Sequence, residues 1–597
     1  MIHKIFNTAK GLTGSLFIIH YSLFISVALS AALNVSCGNM LETESELVEY
    51  EKDNTLNHPT DSVYSVLGII NKMQIIADRT VILGEARSDL MTVTDAASSD
   101  LKRLASFSLN SQPSTLNSQP STLNSNKYNK IADYYAVINN CNYFLAHIDT
   151  TMQRRGRQLF RNEYAAVKSF RAWTYLELVK IYGEVPLVTT PLMTEREAHA
   201  ALNSQLSSIK DVCNYFIEDL TPYAYVNPPV YGSIGNRSST KFFIPTRALL
   251  GDLCLWAGRY EEAAKWYSDY LNDKIAPIKI SSSNRVHWPT PMIYTSPSGS
   301  YSVTGDNEVL GIIPMETDIF DGNISDIDNI MNSTRENNYF YQLQPTVTMR
   351  QLSARQINCL EYSNEQTRQV IYVNDLSEQI LTGDLRLYSV YSLRSRGTQD
   401  PYEEYSSLTQ QIDKFTRGSI TTYRSPMIYL RFAEALNRSG YPQSAFLILK
   451  HGLCPENVEL FVDSIERSKA GQLIMFDPLA FPRLDEQGNL AILGIHSRGS
   501  GDSHCNDYYV LPQPEKQLAT REDTVQYQIP LVEDMIIEEM ALEGFFEGYR
   551  YYDLMRVALR RNDPDYLAGP ISRRNGEQDN VLHALLMDQK NWYLPKQ

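Results

Sequence analysis

The sequence predicts a mainly α-helical fold, a scaffold of paired helices that carries a large irregular α+β insertion. Three observations carry this. Apolar residues recur at helical spacing over long runs in both the first and the last part of the chain. Two of those runs, Thr246 to Leu271 and Tyr423 to Gly452, are helix–turn–helix units with small residues where paired helices touch. Two other stretches, about 274–420 and about 455–527, lose the helical period and are rich in Gly, Pro, Ser, Asn and Asp. The chain has 597 residues, too many for one simple core, and its 43% hydrophobic content is that of a globular protein. A net charge of −15 excludes nucleic-acid binding as the main role, because attraction to phosphate needs a basic face.

Residues 1–36 read as a signal peptide. Lys4 and Lys10 form a basic start, and Leu12 to Ala32 is a long apolar run. Leu33-Asn-Val-Ser-Cys37-Gly then places a small residue before a cysteine, which resembles a lipobox and makes Cys37 the expected lipidation site. Asn34 departs from the usual aliphatic residue of that motif. The alternative is a transmembrane anchor, since the run is nearly long enough to span. Either way the mature chain faces away from the cytoplasm. Residues 37–60, with Glu42, Glu44 and Glu46, form an acidic tether.

Residues 61–273 form the first part of the scaffold. Asp61 to Asp89 reads as one long helix, with Val63, Val66, Leu67, Ile70, Met73 and Ile76 at helical spacing. Residues 107–126 contain Leu109-Asn-Ser-Gln-Pro-Ser-Thr, repeated once and begun again at Leu123. This polar, low-complexity insert is expected to be disordered. Lys127 to Asp149 and Gln158 to Tyr182 are the next helices, the second stopped by Gly183 with Pro186 just beyond. Leu250-Gly-Asp-Leu-Cys254, Gly258, Tyr260, Ala263 and Tyr267 fall where a tetratricopeptide unit needs them. Ala433, Leu436, Gly440, Pro442 and Ala445 repeat that logic. The repeats are far apart, so the scaffold is tetratricopeptide-like with insertions rather than a clean solenoid. Residues 421–597 complete it.

The last long helix is Val532 to Arg556. At 100° per residue Val532, Met535, Ile536, Leu542, Phe546 and Tyr549 share a face with Glu539, Glu543 and Arg550. Charges inside an apolar stripe are costly unless paired, so these three are assigned a structural role, a buried carboxylate–guanidinium network with Arg550 as the cation. The alternative is a solvated helix with i,i+4 charge pairs. Gly544 and Gly548 lie one turn apart, where a backbone could pack closely.

Four motifs now stand in order: Gly84-Glu-Ala-Arg-Ser-Asp89; Phe170-Arg-Ala-Trp-Thr-Tyr-Leu-Glu-Leu-Val-Lys-Ile-Tyr-Gly183 with Val185-Pro-Leu-Val188; Tyr429-Leu-Arg-Phe-Ala-Glu-Ala-Leu-Asn437; and Glu538-Glu-Met-Ala-Leu-Glu-Gly-Phe-Phe-Glu-Gly-Tyr-Arg-Tyr-Tyr-Asp-Leu-Met-Arg556. Together they resemble the SusD/RagB family, surface lipoproteins of Bacteroidetes that capture nutrients for a TonB-dependent outer-membrane transporter. The resemblance spans nearly all of the mature chain. It implies a SusD-like fold, attachment to the cell outer membrane with exposure at the cell surface, and a SusC-like transporter as partner. The acidic residues after Cys37 resemble the surface-export signal of such lipoproteins.

The resemblance also implies binding of a nutrient, a glycan first of all, without catalysis. RagB-type relatives handle peptides, which is the alternative; a glycoside hydrolase is a more distant one. No nucleophile elbow, zincin motif or phosphate loop is present, and paired carboxylates discriminate nothing in so acidic a chain. No cofactor is expected. Gly494-Ile-His-Ser-Arg-Gly-Ser-Gly-Asp502 with His504, Cys505 and Asp507 has oxygen and imidazole groups at metal-ligand spacing. The reading preferred here is a glycine-rich turn, with no metal. No CxxC pair occurs; Cys141, Cys213 and Cys254 read as small core residues, and disulfides are permitted but not required.

The ligand residues are chosen by composition, since no family binding residue carries over by motif. Flat aromatic faces pack on the C–H patches of sugar rings, while amides and charges take the hydroxyls. Irregular insertions on a rigid scaffold are where binding residues concentrate, so 274–420 is the ligand-binding insertion. Its candidates are Trp288, Tyr294, Tyr301, Arg335, Asn337, Asn338, Tyr339 and Tyr341.

Overall fold

The computed structural model describes residues 59–110, 126–235, 237–281, 308–316, 321–332, 342–363, 368–373, 383–395, 408–412, 414–415, 418–502 and 506–596. Its first helix, α1, spans Pro59–Glu85. Among the helices that follow in the first half are α2 (Ile131–His147), α3 (Arg161–Tyr182), α4 (Ile209–Leu220), α5 (Thr246–Ala257) and α6 (Tyr260–Leu271). The second half supplies α7 (Val347–Ala354), α8 (Ser425–Arg438), α9 (Pro442–Lys450), α10 (Arg521–Glu543), α11 (Arg550–Arg561) and α12 (Asp565–Ser572). Neighbours in this order pack on one another from α1 to α6, α6 packs on α8, and α8 packs on both α9 and α10. The last long helix, α11, returns to α1. The chain therefore closes its helical array by bringing its two ends together.

Local chemistry sets the helix ends. Gly183 stops α3 at φ 78°, and Gly258 stops α5 in the left-handed region at φ 79°. Ser208 and Asp211 form a capping box at the start of α4, and Pro442 opens α9 at a position where its missing N–H costs nothing. The α5–α6 pair shows why small residues sit at the contact. A Cβ on Gly251 would lie 2.4 Å from the Tyr267 ring, so only glycine lets that ring reach Asp252, whose carboxylate accepts the Tyr267 hydroxyl at 2.6 Å.

The β structure is a set of small antiparallel ladders. Strand β1 (Met91–Val93) pairs with β3 (Leu343–Pro345), and β2 (Val309–Pro314) pairs with β8 (Ser419–Arg424) in the register Ser419↔Pro314. Strand β4 (Asn358–Ser363) pairs with β5 (Arg368–Val373), and β6 (Tyr391–Ser395) with β7 (Leu408–Ile412). Each of these four ladders contains residues of 274–420, and the remaining ladders among the described residues are two-residue pairs within 153–238. The fold is mainly helical with small two-stranded sheets.

Several expectations change. Val532 to Arg556 is not one helix: α10 begins at Arg521, runs through Pro530 and ends at Glu543. The chain then turns, with Phe546 at φ 70° and Gly548 at φ 83°, before α11 starts at Arg550. The turn exists because the backbone of α1 lies against it. A Cβ on Gly548 would meet the Thr80 carbonyl oxygen at 2.3 Å, and one on Gly84 would meet the Gly548 carbonyl oxygen at 1.8 Å. Tertiary packing has overridden an unbroken helical pattern. The stretch 455–527 holds short helices at Pro455–Phe461 and Ser464–Ala470 as well as the start of α10, and 274–420 holds α7, Ile327–Met331 and Leu385–Val390. The low-complexity insert starts later than its composition suggests, because Phe107 and Leu109 are buried in the core. Residues 111–125, the leader and Cys37 lie outside the described residues. Cys141, Cys213, Cys254 and Cys454 are buried free thiols, whereas Cys359 is disulfide-bonded.

Candidate functional site

One buried ion network fixes the insertion to the scaffold, and Glu543 is its centre. Oε1 of Glu543 accepts from Arg424. Its Oε2 accepts from Arg386 Nη1 at 2.9 Å and Arg498 Nε at 3.1 Å. Arg424 also grips Glu547 through Nε (2.8 Å) and Nη2 (2.6 Å), and Lys414 Nζ lies 2.6 Å from the same carboxylate. Arg498 donates both Nη groups to Glu308, at 2.8 and 3.0 Å. Arg386 holds Asp384 through Nε (3.0 Å) and Nη2 (2.7 Å), and its Nη1 lies 2.7 Å from Glu539. His496 Nδ1 lies 2.9 Å from the other oxygen of Glu539.

Desolvating a charge costs several kcal/mol, on the order of the stability of a domain when several are buried together. The network persists because each guanidinium meets more than one carboxylate, in part through paired parallel hydrogen bonds. Burial works against the Arg386 charge, but Asp384 and Glu539 outweigh it and hold its pKa well above the usual arginine range. Burial pushes Lys414 down to about 8 in spite of Glu547. Glu547 feels the same burial in the opposite direction, yet Arg424 and Lys414 keep it below the usual carboxylate range.

Members of the network stand beside the ends of several segments of the chain. Glu308 directly follows residues 282–307, and its carbonyl accepts from Ser425 N at 2.9 Å. Asp384 stands just after residues 374–382 and also accepts from Ser500 Oγ at 2.9 Å. Asp502 immediately precedes residues 503–505, and its N–H donates to the Cys359 carbonyl at 2.6 Å. Residues 333–341 leave and return between Asn332 and Gln342. These are pinned by Ile412 N to Asn332 Oδ1 (2.6 Å), Gln342 N to Ile330 O (2.6 Å) and Ser98 N to Gln342 Oε1 (2.8 Å). Ile412 is two residues before Lys414. The roots of all these segments are thus joined by hydrogen bonds, or within a few residues, to one buried centre.

Trp288, Tyr294, Tyr301, Arg335, Asn337, Asn338, Tyr339 and Tyr341 lie outside the described residues; what the structure places is the roots of the segments that carry them. The expected Glu539/Glu543/Arg550 network needs correction. Glu539 and Glu543 are fully buried, but the cations they meet are Arg386, Arg424 and Arg498. Arg550 sits beyond the turn and grips Asp89 instead, Nε to Oδ1 at 2.8 Å and Nη2 to Oδ2 at 2.9 Å. The break after Glu543 rotates Arg550 away from the face that a continuous helix would have given it.

Glu308, Asp384, Arg386, Lys414, Arg424 and Arg498 were not singled out from the sequence. The one local signal was Gly494-Ile-His-Ser-Arg-Gly-Ser-Gly-Asp502, weighed there as a metal motif or a turn. It forms a short helix, Ser497–Ser500, whose Arg498 and neighbouring His496 enter the ion network. Gly499 is required there, since a Cβ would lie 2.2 Å from Asp384 Oδ1. Among the described residues no group of three or more His, Cys, Asp or Glu is placed to hold a metal ion, and His504 and Cys505 lie outside them.

A second polar centre lies within the helices, where Trp173, Trp256, Tyr423, Arg431, Asp553 and Arg556 border a cavity of about 50 Å³. Small-molecule sites occupy roughly 300–1,000 Å³, so this space suits a few waters, not a sugar. Arg431 pairs with Asp252 at 2.9 Å and Arg556 with Glu434 at 2.9 and 2.6 Å. Asp553 Oδ2 has no protein partner, which is the place for one of those waters.

Residues 48–229 match a SusD-like family model described as starch-binding associating with outer membrane. Three solved structures share the fold. A SusD superfamily protein from Bacteroides vulgatus superposes with a TM-score of 0.51 at 15% identity, covering 90% of this chain and 95% of its own. A SusD-like carbohydrate-binding protein from Bacteroides fragilis gives 0.50 at 14%, covering 85% and 88%. A SusD superfamily protein from Bacteroides thetaiotaomicron gives 0.50 at 13%, covering 84% and 89%. No curated protein matches the sequence.

Proposed function

We propose that this chain, a SusD-like family protein, binds a glycan at the outer membrane and passes it to a SusC-like TonB-dependent transporter without breaking a bond. The observation that carries the reading is the rooting of the insertion segments on the buried ion network, within a fold shared with a SusD-like carbohydrate-binding protein. In this reading Trp288, Tyr294, Tyr301, Tyr339 and Tyr341 stack on sugar faces, and Arg335, Asn337 and Asn338 take hydroxyls. The lipid on Cys37 and the tether 37–60 hold the protein at the surface, and residues 274–420 form the ligand-binding insertion between the scaffold regions 61–273 and 421–597. Few side chains are desolvated in such a site, so Kd falls on the order of micromolar to millimolar. Release fast enough for delivery follows from that weakness.

The test has three arms. A glycan array run beside a peptide-uptake assay decides between glycan and peptide; retention of peptides alone refutes the proposal in favour of a RagB-like role. Incubation of the pure protein with an array-positive glycan should release no reducing ends. New ends that vanish on a single carboxylate substitution would make it a hydrolase. Cys37→Ala should free the protein from membranes, and a variant that still fractionates with the outer membrane removes the lipid anchor from the proposal.

A further inference from the structure

Away from the ion network, α7, α10, α11 and α12 enclose an open groove of about 340 Å³. That volume reaches the range of small-molecule sites and is several times the inner cavity. Its floor is apolar, made by the buried side chains of Leu352, Ile537 and Leu554. Tyr566 forms a wall; Arg561 lies over its ring at 4.6 Å, and its hydroxyl donates to Asp534 at 3.0 Å.

The rim is charged but compensated. Arg355 is spent on Glu538, which also accepts from Gln356 (3.0 Å) and Tyr508 (2.8 Å). Arg550 is spent on Asp89 and Asp534 on Arg561 (2.8 Å), while Asp565 is hydrogen-bonded to the His583 ring (2.7 Å). These partners leave the groove without a large excess of either sign of charge. Two groups on the rim remain open. Asp563 is exposed, and its carboxylate receives only the Asp565 backbone N–H, at 3.1 Å. Arg573 is exposed, and among the described residues its guanidinium has no ion-pair or hydrogen-bond partner.

We propose that this groove is a second carbohydrate subsite that takes a neutral sugar unit of a glycan chain; the inference rests on the glycan-binding reading above. An apolar floor accepts the C–H face of a pyranose. A free carboxylate accepts two neighbouring hydroxyls, and a free guanidinium donates a fork of N–H groups to hydroxyl or ring oxygens. The two open groups carry opposite signs, so neither sign of ion is favoured, and hydrogen bonding to neutral hydroxyls is the chemistry both can supply. The groove stands on α7, the first helix after residues 333–341, so the subsite belongs to the insertion as well as to the scaffold.

Affinity electrophoresis of the full chain through gels cast with amylopectin, laminarin or galactomannan, all neutral, tests this. Wild type should be retarded by at least one of these polymers, and Asp563→Ala/Arg573→Ala should raise its Kd for that polymer about tenfold or more, the usual scale of a lost hydrogen bond to a charged group. Both residues are exposed, so the melting temperature should hold. If it falls, Asp563→Asn/Arg573→Gln repeats the test with nearly isosteric side chains. Trp288→Ala should weaken binding yet leave a remainder that the groove variant removes. Retardation of wild type and groove variant alike overturns the second subsite and leaves the glycan reading standing. No retardation by any neutral polymer overturns both. Retardation only by an anionic polymer such as polygalacturonate overturns the charge-compensation argument.

Discussion

Replacing Glu543 by glutamine keeps the shape of the side chain and removes one buried negative charge that faces three guanidinium groups. Arg424, Arg386 and Arg498 would each lose a charged acceptor in a region without exposed side-chain area. Breaking a buried ion pair by neutralising one partner costs about 3–5 kcal/mol. Unfolding entropy of about 2.1 cal/mol/K per residue, over the roughly 540 residues from Leu56 to Gln597, gives about 1.1 kcal/mol/K. The predicted loss in melting temperature is therefore about 3–5 °C for a cooperative transition. The effect should also be local: the N–H groups of Ser425 and Asp384, which donate to Glu308 O and Ser353 O, should exchange faster with solvent. The control is Glu262→Gln, which loses only an exposed pair with Arg259 and should cost less than about 1 kcal/mol. Scanning calorimetry with hydrogen exchange decides the matter. If Glu543→Gln melts within a degree of wild type and leaves exchange at these amides unchanged, the network does not hold the insertion roots.

Glu85 supplies a prediction about pH. Burial pushes its carboxyl up to about 8, although the Gly548 N–H donates to it at 2.7 Å. Between the unfolded value near 4.5 and 8 the folded chain binds one more proton than the unfolded chain, so stability falls as pH rises through that window, by a few kcal/mol at about 1.4 kcal/mol per unit. Glu85→Gln keeps an acceptor for Gly548 and has no such slope. Urea titrations at pH 5 and pH 8 should therefore show the variant gaining on wild type at the higher pH, and an equal difference at both values would contradict the assignment. Gly84→Ala should be among the most damaging single-methyl additions in the chain. Its Cβ would lie 1.8 Å from the Gly548 carbonyl oxygen, so either α1 or the α10–α11 turn must move, at a cost of about 1–3 kcal/mol or more. Gly68→Ala on the same helix, with nothing within 4 Å of the added atom, should be neutral or slightly stabilising, and equal melting temperatures for the two variants would count against the close approach.

What could be read from the sequence was whatever repeats locally. Helices α1, α3, α5, α6 and α8 announced themselves by the spacing of apolar and small residues, and α3 and α5 also by glycine at their ends, because both are properties of neighbouring residues. The motifs at the two ends of the chain were also visible one at a time, but not that they are partners. Glu85 receives the Gly548 N–H. Arg87 donates to the Tyr552 hydroxyl at 3.0 Å and lies 4.1 Å above the Tyr551 ring. Asp89 takes Arg550. Each charged residue of Gly84-Glu-Ala-Arg-Ser-Asp89 thus answers a residue of the last motif some 460 positions away, and no local period encodes a contact of that length. The same limit explains the error over Arg550. A helical projection assumes that the helix continues, whereas the turn after Glu543 is imposed by the backbone of α1 pressing on Gly548. Once that turn exists, Glu539 and Glu543 lose Arg550 as a neighbour, and three arginines from the insertion and its flanks take its place. Because those arginines come from separate segments, the network couples the order of the insertion to the closure of the helical array.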